Sequence, residues 1–154
     1  MNTEHSQRLP TFINPSWRVA IVHSCFYEAD IAAMIESARE VLLGATLNPA
    51  HITVHPAAGS FEVPLIGAAL AEAKKADAMI GLGIIVEGET HHGALLAAET
   101  ARGIMDTQLR FSIPFAFEIL YVKSLEQARK RADKGAEAAY SALHSLAELH
   151  RIRL

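Results

Sequence analysis

Apolar residues along this chain follow two rhythms that take turns. Short, β-branched runs at 17–24, 52–55, 78–86 and 114–122 read as strands, each set off by a break such as Asn48-Pro49 or Ser112-Ile113-Pro114. The run at 78–86 is apolar almost throughout, the pattern of a strand covered on both faces. Between the strands the apolar spacing turns helical. Ile31, Met34, Ile35 and Ala38 form a stripe in a segment that starts after Glu28 and runs to about Leu43, with Gly44 just beyond. Residues 63–75 carry Pro64 in their first turn, where its missing N–H does no harm. Residues 94–109 predict a third helix, 124–131 a short fourth and 136–150 a fifth. Strands that alternate with helices predict a parallel sheet with right-handed crossovers and helices on both faces. The expected fold is therefore α/β, three-layered and flavodoxin-like, around four strands. Residues 1–15 hold Pro10 and Pro15 and no helical period, so they read as an extended arm, with 11–13 able to form an edge segment. Residues 16–154 read as one α/β domain.

Composition narrows the function. A net charge of −3 gives no electrostatic reason to expect nucleic acid or an anionic membrane as partner. No apolar stretch approaches the roughly 20 residues that span a bilayer, and the polar start 1–8 lacks the apolar segment of a secretory signal. A lone Cys25 makes no internal disulfide, which fits a reducing cytoplasm, and leaves no second thiol for structural zinc.

Chemistry collects where strands end. Gly83 to His92 begins as a β-branched run, stops at Gly88, and continues with Glu89, Thr90, His91 and His92 into a helix. Open α/β sheets place ligands outside the carboxyl ends of their strands. Amides of a first helical turn favour an anion, and a histidine there moves protons near neutral pH. Thr90 could equally be no more than a helix cap. Adjacent histidines diverge by about 100° on a helix, which argues against shared ligation of a metal. The stretch Gly59-Ser60-Phe61-Glu62-Val63-Pro64 reads either as a ligand loop or as a plain helix start capped by Ser60. Phe26-Tyr27, after the first strand, offers a stacking platform or simple rim packing. Phe117 reads as core on pattern alone, and Arg129, Lys130 and Arg131 as a solvated basic face. The loops after strands one, two and three emerge at one edge of the sheet, so their candidates belong together.

These residues resemble the lumazine synthase family. Gly59 to Pro64 is similar to the family's G-[AS]-[FY]-E-[IL]-P, with valine as a conservative change. Gly83 to His92 resembles its L-G-x-V-I-x-G-x-T-x-H segment. Gln127-Ala128 with Arg131, and Lys134-Gly135 with Glu137-Ala138-Ala139, are similar to its Q-A-x-x-R and K-G-x-E-A-A elements.

The resemblance implies condensation of 5-amino-6-(D-ribitylamino)uracil with 3,4-dihydroxy-2-butanone 4-phosphate, giving 6,7-dimethyl-8-ribityllumazine, phosphate and water. By motif position Phe26 would stack on the pyrimidine, and Ser60, Phe61 and Glu62 would hold the pyrimidine-ribityl substrate. Ile84, Ile85 and Val86 would contact its heterocycle. Glu89 and Thr90 would cradle the phosphate, and His92 would transfer protons. The family site lies between subunits, so Phe117 and Arg131 would come from a neighbour, over the pyrimidine and on the phosphate. The implied assembly is a homopentamer or decamer, its arm adding an edge strand to a neighbouring subunit. No cofactor is implied, because the condensation has no redox step, and no metal is expected at the divergent His91-His92 pair.

The chain also departs from the family pattern. Glu87 replaces a common arginine, although archaeal members often carry an acid. Tyr27 replaces an asparagine, and Glu118 and Tyr121 replace a glycine and a threonine. The connection from Arg131 to Lys134 is shorter than in shell-forming members, which favours pentamers. Two other readings share the fold: an archaeal-type riboflavin synthase, and a non-catalytic flavin- or lumazine-binding assembly protein. The complete G-S-F-E-V-P and G-x-T-x-H segments argue against the riboflavin synthase.

Overall fold

A computed structural model describes residues 7–154; the first six residues of the expected arm lie outside the described residues. Four parallel strands form one sheet in the order β2-β1-β3-β4, with β1 Val19–Ser24, β2 Ile52–Ala57, β3 Ala78–Val86 and β4 Phe115–Val122. Helices α1 Glu28–Gly44, α2 Val63–Glu72, α3 His92–Phe111, α4 Leu125–Arg129 and α5 Lys134–Arg153 complete the chain. Strand alternation sorts the side chains into two cores. Val19 and Ile21 face α1 and α5, among Ile31, Met34 and Leu143. Ala20 and Val22 face α2 and α3, among Val63, Leu70 and Ile104. A sheet buried on both faces needs apolar residues on both, which is why its strands read as continuous apolar runs. The result is the three-layer, flavodoxin-like α/β fold that the alternation predicts.

Boundaries differ where polar residues enter regular structure. Strand β1 begins at Val19, and Trp17 instead packs into the α1–α5 core and edge-on to Phe12, at 5.7 Å between ring centroids. Strand β2 continues through Pro56, which an edge strand tolerates because it needs no inward N–H there. Helix α3 starts at His92 and α5 at Lys134, each two residues earlier than the apolar stripe indicates. Gly44 closes α1 from within. Residues 11–13 form no strand in the described chain; Phe12 stacks on His150 at 4.2 Å, and His144 Nε2 hydrogen-bonds Arg8 O at 2.6 Å. Phe117 is 42% exposed, not core, because β4 is an edge strand.

Close packing also fixes the turn between α4 and α5. At Gly135 an added β-carbon would run into Met34 O, so α5 crosses α1 almost backbone to backbone. Ser37 Oγ bridges that crossing, donating toward Ala132 O and accepting from Ala136 N. The turn carrying Arg131 is thus tied to α1.

Candidate active site at the carboxyl edge

The order β2-β1-β3-β4 reverses direction between β1 and β3, and the crevice outside their carboxyl ends is the favoured ligand position. A cavity of about 480 Å³ opens there, walled by the loops after β1, β2 and β3.

The first wall follows β1. Ser24 is buried, and its Oγ accepts from Phe26 N at 3.1 Å. Tyr27 then takes left-handed backbone angles, φ 59° and ψ 54°, which bulky side chains rarely adopt. This sharp turn into α1 leaves Phe26 62% exposed at the cavity mouth.

The second wall is the Gly59–Pro64 loop. A β-carbon at Gly59 would come within 3.2 Å of Glu62 Oε2 and 3.3 Å of Phe26 Cε2, so bare backbone passes beneath both side chains. Ser60–Glu62 forms a 3₁₀ turn leading into α2. Ser60 does not cap α2; its buried hydroxyl points at Gly83, where an added β-carbon would collide with it. Phe61 and Glu62 line the cavity beside it.

The third wall is the end of β3 and the start of α3. Ile84 and Ile85 are buried, Val86 is half-buried, and all three face the cavity region. The chain then turns through Gly88 and Thr90 to His92. Thr90 Oγ1 lies 3.4 Å from His92 N, a long contact, and His91 occupies the cap position without a side-chain bond. None of α1, α2 or α3 has a side-chain bond to its cap position, whereas α4 is capped by Ser124 accepting from Gln127 N. At α3, Thr90 Oγ1 takes His92 N and His91 O takes Leu95 N, which leaves the amides of Gly93 and Ala94 for an anion or for water. His92 lines the cavity and His91 does not, consistent with their divergence of about 100° around α3.

Three other candidates lie elsewhere. Glu89 is exposed on the turn, outside the cavity lining. Phe117 stands on edge strand β4, and Arg131 is exposed after α4, its Nη1 donating to Gln127 O at 2.8 Å. Neither lines this cavity. Tyr27 lines it beside Phe26, and so do Ser24, Gly93 and Leu96, which the motifs do not single out. Leu96 was findable, since it stands four residues after His92 on one helix face.

Among the described residues no group of three or more His, Cys, Asp or Glu could hold a metal ion. No helix of the described chain is long and apolar enough to cross a membrane. What the cavity offers is an exposed aromatic face, a carboxylate, hydrophobic walls, and a histidine at the start of a helix. That equipment suits a flat polar heterocycle held against a small anionic reactant. The family model for 6,7-dimethyl-8-ribityllumazine synthase matches residues 16–150 of the 154, and so spans all four strands and the whole cavity. This chain belongs to that family, the transferases that make lumazine in riboflavin biosynthesis.

Proposed function

We propose that the protein condenses 5-amino-6-(D-ribitylamino)uracil with 3,4-dihydroxy-2-butanone 4-phosphate, releasing phosphate and water and forming 6,7-dimethyl-8-ribityllumazine. The observation that carries this reading is the convergence of Phe26, Glu62 and His92 from three separate loops on one cavity of about 480 Å³. Phe26 stacks on the pyrimidine, while Ser60, Phe61 and Glu62 hold its polar edge and ribityl chain. Ile84, Ile85 and Val86 form the apolar wall against the ring. The butanone phosphate lies at the start of α3, where the amides around Glu89 and Thr90 hold its phosphate and stabilise the leaving anion.

In this reaction the 5-amino group attacks the ketone and the carbinolamine loses water to give a Schiff base. Phosphate is then eliminated, and the ribitylamino nitrogen closes the ring with loss of a second water. His92 carries protons between the amine, the departing oxygens and solvent. Most of the acceleration comes from holding two reactive molecules face to face.

Phe117 and Arg131 complete the site from a neighbouring subunit, Phe117 covering the pyrimidine and Arg131 pairing with phosphate. Both are exposed and stand away from the cavity of their own chain, which is what a residue donated to another copy requires. The working form is a ring of five, or two such rings, acting in the cytoplasm with no cofactor.

The test is incubation with both substrates while lumazine absorbance and phosphate release are followed, with sedimentation in parallel. Lumazine formed with equimolar phosphate by a pentamer supports the proposal. Riboflavin made from lumazine would instead indicate a riboflavin synthase, and ligand binding without turnover a binding protein. A fully active monomer would remove Phe117 and Arg131 from the site.

A further inference from the structure

Two positions at the rim of the site depart from the family pattern and lie side by side. Glu87 is the first residue beyond β3, and its N–H donates to Val122 O at 2.7 Å. One residue before that acceptor is Tyr121, paired with Ile85 in the β3–β4 register. Its ring lies over the start of α3: a β-carbon at Gly93 would come within 3.2 Å of Tyr121 Cε2 and 3.3 Å of Ile85 Cγ2. Glu87, Tyr121, Lys123 and Gln127 line a separate recess of about 330 Å³.

This arrangement answers an electrostatic difficulty. Glu87 adjoins the turn 88–92 that leads into α3, where the positive start of the helix suits an anion, and a carboxylate swung onto that turn would compete with the anion and repel it. Loss of water, and then the Glu87 carboxylate, hold the Tyr121 phenol above its ordinary pKa, so it is a proton-bearing donor throughout the neutral range. Lys123 adds a positive charge to the same recess.

We propose that Tyr121 is a positioning residue that keeps the Glu87 carboxylate in this recess and off the turn 88–92, preserving that turn for the phosphate of the substrate. This inference rests on the lumazine synthase reading of the site and adds to it a device for tolerating an acid beside the phosphate.

Tyr121→Phe, Glu87→Gln and the double variant test it, with steady-state kinetics in both substrates and calorimetric titration of inorganic phosphate. Tyr121→Phe keeps the ring against Gly93 and loses only the phenol. Its KM for the butanone phosphate and its Kd for inorganic phosphate should rise about three- to tenfold, with kcat and the pyrimidine KM within twofold. Adding Glu87→Gln should restore both phosphate constants, a rescue that a merely structural role for the phenol would not give. Unchanged phosphate affinity in Tyr121→Phe, or a defect that persists in the double variant, would overturn the inference. If the protein binds phosphate without making lumazine, the titration still decides the role of the pair while the reaction assignment falls. Wild-type protein that neither binds phosphate nor turns over would overturn both.

Discussion

The two edges of the sheet treat their polar groups in opposite ways. At the amino edge side chains bind backbone and one another across the elements, although the buried His51 Nδ1 just before β2 has no partner. Asp77 accepts from Arg18 N at 2.7 Å and from its guanidinium, Arg18 Nη1 donates to Lys74 O just past α2, and Arg153 Nη2 donates to Ser112 O just past α3. Gln108 Oε1 even accepts from Phe115 N at the start of β4. A cavity of about 380 Å³ exists there too, but its two arginines, Arg18 and Arg153, are already engaged with backbone carbonyls and a carboxylate. At the carboxyl edge, helices α1, α2 and α3 start without side-chain caps, Tyr27 holds an unfavourable backbone, and Phe26 stands exposed. Stabilising bonds are forgone where a ligand supplies them, and strain at such a place is expected of a functional site.

The largest expected break comes from the open edge. His92→Ala should lower kcat about 10²-fold, near the lower end of what general acid–base help is worth, because water can also carry protons in an amine–ketone condensation. Pyrimidine affinity should hold, since Phe26 and Glu62 remain. His91→Ala should cost far less, and single-turnover kinetics of both variants would show it. A larger loss from His91 would reverse the choice of histidine.

Arg131→Ala comes next. Removing a charge-assisted phosphate contact should cost about 1.5–3 kcal/mol, read as a rise in KM for the butanone phosphate with little change for the pyrimidine. Equal changes in both would deny the arginine its phosphate. Arg129 is less suited to replace it, because its Nε already pairs with Asp30 at 3.0 Å.

Legibility in the sequence follows the same division. The strands were readable because a sheet covered on both faces must be apolar on both, and the alternation with helices dictated the layers. The convergence of Phe26, Gly59 to Glu62, Ile84 to Val86, Thr90 and His92 followed from topology, since loops after parallel strands share an edge. The helix starts were less readable: Ser60 and Thr90 look like caps, yet Ser60 turns under Gly83 and α3 begins two residues earlier, through a polar His92-Gly93. Alternation along β4 could not reveal that Phe117 is exposed, because edge position is a property of the whole sheet. Nor could local pattern show that Glu118, on that same strand, faces the start of α5.

Glu118 sharpens the comparison, being a half-buried carboxyl whose surroundings are fixed by packing. Burial, with Glu137 and Asp133 nearby and Lys134 opposing them, pushes its pKa up from 4.5 to about 7. The folded protein therefore holds this proton more tightly than the unfolded chain. Stability from this group is intact below pH 4.5 and is lost as pH rises toward 7, by about 2 kcal/mol after allowance for partial solvation. Glu118→Gln removes the titration. In urea unfolding from pH 5 to 8 the variant should match the wild type at the acid end and exceed it by about that amount at pH 8. A constant difference across the range would mean that Glu118 titrates normally.

The smallest effect should come from the closed edge, and it tests the comparison most directly. Asp77→Ala deletes an acceptor for Arg18 N, Nε and Nη2 at once. The Arg18–Asp77 pair is 41% and 35% exposed, so solvent screens most of its charge attraction. The bond to the backbone amide matters more, because it anchors the chain just before β1 and is replaced only by water. The expected cost is about 1 kcal/mol of stability, and Asp77→Asn should recover part of it by keeping an oxygen for that amide. Neither variant should alter KM for either substrate, since no residue of this edge lines the cavity at the other. Urea unfolding and steady-state kinetics on the same samples check both halves. A changed phosphate-substrate KM in Asp77→Ala would mean that strain passes along β1 and β3 from one edge to the other, and the open edge would then owe its geometry to the closed one.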